Sequence, residues 1–167
     1  GNPVIDALNI IRNQTEPVEV RQLLDELGVS QGRKRLVLLT AHRRENFGRP
    51  IEQICQAIVH LAASYRDQVE FIYPVHLNPN VKGPVYKRLS GIPNVRLLPP
   101  LDYLPLVHLM KHATLVMTDS GGIQEEAPGL GVPTLVLREV TERPEGIRAG
   151  TLKLVGTDTE RIITACR

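Results

Sequence analysis

The chain has 167 residues, a net charge of +2, and 42% hydrophobic against 23% charged residues. A length of this order supports one domain with a single core. The charge is too small to argue for nucleic acid or an acidic membrane surface, the lack of Trp with only 4% aromatics leaves few platforms for stacking bases, and no apolar run nears the roughly 18 residues of a membrane span. In chain order, residues 4–13 and 18–27 carry helical spacing. Val20, Leu23, Leu24 and Leu27 fall near one face, and Gly28 stands as a C-terminal stop. Leu36-Val37-Leu38-Leu39-Thr40 then begins a series of short apolar runs. Val69-Glu70-Phe71-Ile72-Tyr73, Val95-Arg96-Leu97-Leu98, Leu115-Val116-Met117, Thr134-Leu135-Val136-Leu137 and a short Lys153-Leu154-Val155 follow. Between them Ile51, Ile54, Ile58 and Leu61 repeat at three and four, Val107 and Met110 share a helical spacing, and a further helix opens after Asp158. Near-continuous apolar strands alternating with amphipathic helices predict an α/β fold, a Rossmann-like doubly wound parallel sheet covered on both faces.

Cys55 and Cys166 are far apart and lack metal-ligand spacing. The expectation is a reduced, cytoplasmic protein with incidental thiols and no metal site. The first residues, Gly1-Asn2-Pro3, show no basic stretch leading into an apolar one, so no signal peptide is expected. The missing Met suggests a processed chain or an excised piece of a longer one.

Ligands of doubly wound sheets bind beyond the carboxyl ends of the strands. That rule gathers five polar loops on one edge: residues 41–46, 74–79, 99–103, 119–122 and 138–145. Two histidines and several arginines on one rim suit an anionic ligand better than a purely structural role. The most informative stretch is Thr118-Asp119-Ser120-Gly121-Gly122-Ile123-Gln124-Glu125-Glu126-Ala127-Pro128. A strand, a small-residue turn and a helix start present amides without intrahelical partners, which suits phosphate. Glu126, under two turns further on, is placed to accept from paired sugar hydroxyls, with Glu125 as the competing choice. The other reading is a helix capped by Asp119 or Ser120, with glycines allowing tight packing.

These loops, in this order, resemble the non-hydrolysing UDP-N-acetylglucosamine 2-epimerases. The matching stretches are Thr40-Ala41-His42-Arg43-Arg44-Glu45-Asn46, Tyr73-Pro74-Val75-His76-Leu77-Asn78-Pro79-Asn80-Val81, the Ser-Gly-Gly stretch above, Thr141-Glu142-Arg143-Pro144-Glu145 and Gly1-Asn2-Pro3-Val4-Ile5-Asp6-Ala7. The resemblance implies the second half of a glycosyltransferase-B-type fold, with residues 1–33 as a helical lead-in, residues 34–167 as a Rossmann-like core, and the family's N-terminal domain absent. It implies an enzyme that eliminates UDP to a 2-acetamidoglucal and adds UDP back after the C2 proton has been exchanged to the other face. The carboxylates handling that proton belong largely to the absent half. The chain alone is therefore expected to bind UDP weakly and not to epimerise. No metal or nicotinamide cofactor is implied. The implied partners are UDP, UDP-N-acetylglucosamine, the absent domain and, in the full-length enzyme, a homodimer mate.

On the same resemblance, His42 is the candidate catalytic residue and a UDP contact. The alternative is a strand-end histidine bonded to a backbone carbonyl. Arg43 suits phosphate oxygens, while either Arg43 or Arg44 has the option of bracing the loop through Glu45. Ser120, Gly121 and Gly122 are the phosphate contacts, Glu126 takes the ribose, and Arg143 meets the nucleotide or diphosphate with Glu142 holding its guanidinium, or else makes a surface ion pair. Asp119 shapes the turn. His76 and Arg43 match a regulatory second UDP-N-acetylglucosamine site, or else His76 sits in a stiff loop between Pro74 and Pro79. Some relatives carry an aromatic at Leu106 that packs on the uracil; leucine keeps an apolar wall but loses ring stacking worth about 1 kcal/mol. A UDP-sugar glycosyltransferase half-domain and a non-catalytic nucleotide-sugar-binding domain are the alternatives. Release of N-acetylmannosamine and UDP would instead mark a hydrolysing epimerase.

Overall fold

The computed structural model describes residue 10 and residues 15–139 and 152–166. The helix expected over residues 4–13 and the 141–145 loop with Arg143 lie outside the described residues. The six expected strands form, each within two residues of its apolar run: β1 Arg35–Thr40, β2 Val69–Pro74, β3 Val95–Leu98, β4 Ala113–Thr118, β5 Thr134–Val136 and β6 Leu152–Leu154. They make one sheet in the order β3-β2-β1-β4-β5-β6, and every pairing is parallel. This is the doubly wound order whose direction reverses between β1 and β4, the crevice where such sheets take ligands.

The period-2 alternation of the central strands sorts the core into two layers. Val37, Leu39, Phe71, Tyr73 and Met117 face one side and pack on α2 (Arg49–Ser64), α3 (Pro79–Leu89) and α6 (Thr159–Cys166). Leu36, Leu38, Ile72 and Val116 face the other side, against α1 (Val18–Leu27), α4 (Tyr103–His112) and α5 (Ile123–Gly129). Helix α1 ends as its sequence predicts: Gly28 takes φ 82°, and the N–H groups of Gly28 and Val29 return to the carbonyls of Asp25 and Leu24. In α2 the expected Ile51, Ile54, Ile58 and Leu61 form the buried stripe.

Two elements depart from the sequence reading. Residues 79–89 form a helix although Gly83 and Pro84 lie inside it. Asn78 caps it by accepting from the Asn80 N–H at 2.9 Å, Pro79 occupies the first turn where its missing N–H costs nothing, and Val81, Val85 and Leu89 are buried at four-residue spacing. Burial along that stripe outweighs poor propensity. The 99–103 loop is also shorter than expected, because Tyr103 already begins α4. Among the described residues no helix is long and apolar enough to cross a membrane.

Candidate functional site

At the β1–β4 switch point a buried carboxylate joins the two loops. Asp119 directly follows β4 and is 0% exposed. Its oxygens accept from the His42 N–H at 3.0 and 3.1 Å, from the Arg43 N–H at 2.9 Å and from Asn46 Nδ2 at 2.9 Å. Asn46 also donates to the Leu137 carbonyl at 3.2 Å, which ties the same loop to the end of β5. From below, the Tyr73 hydroxyl donates to the Ala41 carbonyl. Burial pushes the Tyr73 phenol well above its usual range, so it stays a donor. The backbone carrying His42 is thus held from β2, β4 and β5. Asp119 shapes the rim as expected, and its charge is absorbed by three donors rather than turned towards a ligand.

The Ser-Gly-Gly turn is built differently from the sequence reading in two respects. The Ser120 N–H is already taken by Thr118 Oγ1 at 2.9 Å, and that hydroxyl shares a 2.7 Å hydrogen bond with Thr40 across the strands. Of the expected donors, the Ser120 hydroxyl and the Gly121 and Gly122 N–H groups remain, and these two amides find no acceptor among the described residues. Helix α5 is only seven residues long, with Pro128 inside it. The anion-binding capacity of the turn therefore rests on its amides far more than on a macrodipole. Gly122 has helical angles, φ −64° and ψ −43°, which any residue adopts. What glycine supplies there is an unobstructed approach to the backbone.

The structure brings His42 and His76 together. The loops after β1 and β2 are neighbours in the sheet, and the two rings stack with centroids 5.6 Å apart and planes 24° from parallel. His76 Nδ1 accepts from the Asn78 N–H at 3.1 Å, which places the proton of the neutral ring on Nε2. Next to this pair, Glu45 accepts from Arg138 Nε at 2.9 Å and lies a loose 3.7 Å from Arg43 Nε. Bracing through Glu45 thus falls mainly to Arg138, which sequence reasoning did not single out, and the weaker partner is Arg43 rather than Arg44. Arg44 is exposed in a single 3-10 turn over Arg44–Asn46.

Glu126 is 9% exposed and lies beside Gly122, where an added Cβ would sit 3.7 Å from its Oε1. Burial raises its carboxyl above the ordinary value; the Tyr103 hydroxyl opposes that rise, and Glu125 adds to it. Burial and the same carboxylate hold the Tyr103 phenol up as well. Tyr103 opens α4 one helical turn before Leu106, which packs on the core layer that also holds Ile123 and Ala127 of α5. Burial lifts the thiol of Cys55 to about 12 and that of Cys166 to about 11, so neither serves as a nucleophile. A cavity of about 730 Å³ opens at the opposite end of the sheet, between Arg35, Leu61, Tyr65 and Thr114. It shares no residue with this rim.

The sequence profile described as UDP-N-acetylglucosamine 2-epimerase matches residues 1–167. The chain belongs to the UDP-N-acetylglucosamine 2-epimerase family. It is 52% identical over 165 residues to the UDP-N-acetylglucosamine 2-epimerase of Salmonella typhimurium, covering 98% of this chain and 44% of that protein. It superposes with TM-score 0.87 and 45% identity on the UDP-GlcNAc 2-epimerase of Neisseria meningitidis, solved bound to UDP-GlcNAc, over 99% of this chain and 45% of that one. The chain therefore spans less than half the length of these relatives. A trehalose-6-phosphate synthase also superposes, with TM-score 0.70 at 10% identity, which shows the fold alone. The glycosyltransferase-B-type architecture expected from the epimerase resemblance is accordingly that of the neighbours in structure. Of the site residues proposed from the epimerase motifs, His42, Arg43, His76, Leu106, Ser120, Gly121, Gly122 and Glu126 all lie on the carboxyl edge or the helices flanking it. Asn46, Tyr103, Thr118 and Arg138 were not marked by their sequence context. Only the polar loop assignments hinted at them.

Proposed function

We propose that this chain is the UDP-binding half of an isomerase that interconverts UDP-N-acetylglucosamine and UDP-N-acetylmannosamine, and that alone it binds UDP weakly without turnover. The observation that carries this reading is the convergence at one switch point of a turn with open amides, a His42-Arg43 backbone held by Asp119, and the buried Glu126 carboxylate, in a chain of this family. The Ser120 hydroxyl and the Gly121 and Gly122 N–H groups donate to the diphosphate. Arg43, only loosely engaged by Glu45, and Arg143 add fixed positive charge there. Leu106 walls the uracil and Glu126 accepts from the ribose hydroxyls. His42 donates towards the bond that breaks. His76, with Arg43, serves a second nucleotide-sugar site beside the first, and the stacked rings support that adjacency.

In the elimination a base removes the C2 proton, the C1–C2 double bond forms, and the electrons of the anomeric C–O bond leave with UDP. UDP then adds back at C1 as a proton arrives on the opposite face of C2. This chain's share is the leaving group: donors that hold the diphosphate more tightly as it gains charge lower the barrier. The groups that move the C2 proton are assigned to the length of the relatives that this chain does not span. The test is calorimetric titration of UDP and UDP-N-acetylglucosamine into the chain and a Ser120→Ala/Glu126→Ala double variant. Saturable binding by the parent, abolished in the variant, is expected. No binding at millimolar ligand by a chain shown to be folded would sink the half-site reading.

Gly122→Ala separates this role from a structural one. The helical angles and ordinary Cβ contact predict stability unchanged or raised by up to about 1 kcal/mol. The same methyl stands over the open amides, so UDP affinity should fall by roughly tenfold, a loss of about 1.4 kcal/mol. Equal affinity for UDP in parent and variant would remove the turn from the phosphate site.

A further inference from the structure

We propose that Arg138 is a positioning residue for the phosphate site: by holding the Glu45 carboxylate it keeps the Arg43 guanidinium available to the diphosphate. The proposal rests on the placement of Arg43 at the diphosphate and goes beyond it in assigning what leaves that side chain uncommitted. One oxygen, Glu45 Oε1, is within reach of both arginines, 2.9 Å from Arg138 Nε and 3.7 Å from Arg43 Nε. The first distance is close ion-pair contact, and the second is near the outer limit of one. The two guanidiniums also differ in setting. The Arg138 side chain is 10% exposed and that of Arg43 is 39% exposed. The buried cation takes the carboxylate, and the one open to solvent is left for a ligand.

The backbone holds this arrangement in place. The Leu137 N–H donates to the Thr118 carbonyl at 2.8 Å, and the Leu137 carbonyl accepts from Asn46 Nδ2 at 3.2 Å, so Arg138 follows a residue tied into the sheet on both sides. Glu45 immediately precedes Asn46 in the 3-10 turn, and the Arg43 N–H is bound to Asp119. All three charged side chains therefore start from fixed backbone, and what remains to settle is which cation one carboxylate takes. Among the described residues Glu45 pairs with these two arginines alone. Without Arg138 its remaining cation is Arg43, and an ion pair in partly exposed surroundings is strong enough to compete with a phosphate contact by a few-fold. Glu45 then neutralises Arg43 and also sets a negative charge beside the incoming anion.

The experiment titrates UDP calorimetrically into the 167-residue chain as parent, Arg138→Met, Glu45→Gln, the double variant, Arg138→Lys and Arg43→Gln, with circular dichroism to establish that each is folded. Arg138→Gln stands in if the Met variant does not fold. Arg138→Met is expected to weaken UDP by about two- to fivefold. Glu45→Gln should bind UDP at least as tightly as the parent, and the double variant should return to the Glu45→Gln value. Arg138→Lys keeps a cation against Glu45 and should stay within about twofold of the parent. A simple brace predicts a different pattern: breaking the pair from either side would weaken UDP equally, and the second substitution would rescue nothing. With Arg43→Gln weakened, an unchanged Arg138→Met, a weakened Glu45→Gln, or a double variant as weak as Arg138→Met would overturn this proposal and leave Arg43 at the diphosphate. The last of these is also what a direct contact of Arg138 with phosphate would give. An Arg43→Gln variant that binds UDP as well as a binding parent would overturn the placement of Arg43 and this proposal together.

Discussion

Asp119→Ala is expected to destabilise the chain by about 3 kcal/mol, the largest stability loss from any single change at the rim. The carboxylate is the common acceptor for two backbone amides and one side-chain amide, and it is fully buried. A buried donor left without an acceptor costs roughly 1–3 kcal/mol. Three donors are affected, but His42 is exposed, so water relieves part of the loss. For a protein of this size the change corresponds to a fall of roughly 6–12 °C in melting temperature. Asp119→Asn should lie between parent and Ala: it keeps one acceptor oxygen but brings an NH2 group against donors. The measurement is the urea midpoint of each variant at constant slope. A midpoint shift worth less than about 0.5 kcal/mol for Asp119→Ala, the range of ordinary surface changes, would mean that the staple does not hold the loop.

Glu126→Gln should do two things in opposite directions. Affinity for UDP is expected to fall by about 10- to 100-fold, because hydrogen bonds to a charged acceptor are worth roughly 1.5–3 kcal/mol. Stability at neutral pH should rise. The carboxyl is raised in the folded chain, chiefly by burial. Below the ordinary carboxyl range both folded and unfolded states are protonated, and the group is neutral in its effect. As pH rises, the unfolded chain ionises first, so the folded state loses ground until the raised value is passed and then carries the full penalty. Gln removes that penalty, so the variant's advantage should be greatest at pH 7 and vanish towards pH 4. Thermal melts across that range check the sign. A parent more stable than Glu126→Gln at pH 7 would show that the anion is well solvated or better partnered than its burial suggests. A functional group that costs the fold stability is the usual pattern at binding sites.

Much of the fold was legible because the strands are buried on both faces. Near-continuous apolar runs can belong to little else when they alternate with helices, and Gly28, Ile51, Ile54 and Ile58 behave as their spacing requires. The helix over residues 79–89 was not legible, since Gly83 and Pro84 argue locally against it and only the buried side of Val81, Val85 and Leu89 decides it. The candidate site was legible as a set of loops because strand ends can be read from the sequence. Its internal wiring was not. Asp119 and Asn46 are 73 residues apart in the chain, and nothing in either neighbourhood reveals that one accepts from the other. The His42–His76 stack follows from β1 and β2 being adjacent, a fact of strand order rather than of composition.

The loop after β1 reaches its final geometry when the sheet closes, not when a ligand arrives. Its amides are already committed to Asp119, its carbonyl to Tyr73 and its side-chain amide to both β4 and β5. The ordering entropy of that loop is therefore lost during folding, where the hydrophobic core offsets it. An incoming anion meets groups that need not search for their positions, so its association carries little conformational cost and has no reason to show a slow phase. Any large movement that completes a closed site must then come from whatever wall faces this rim.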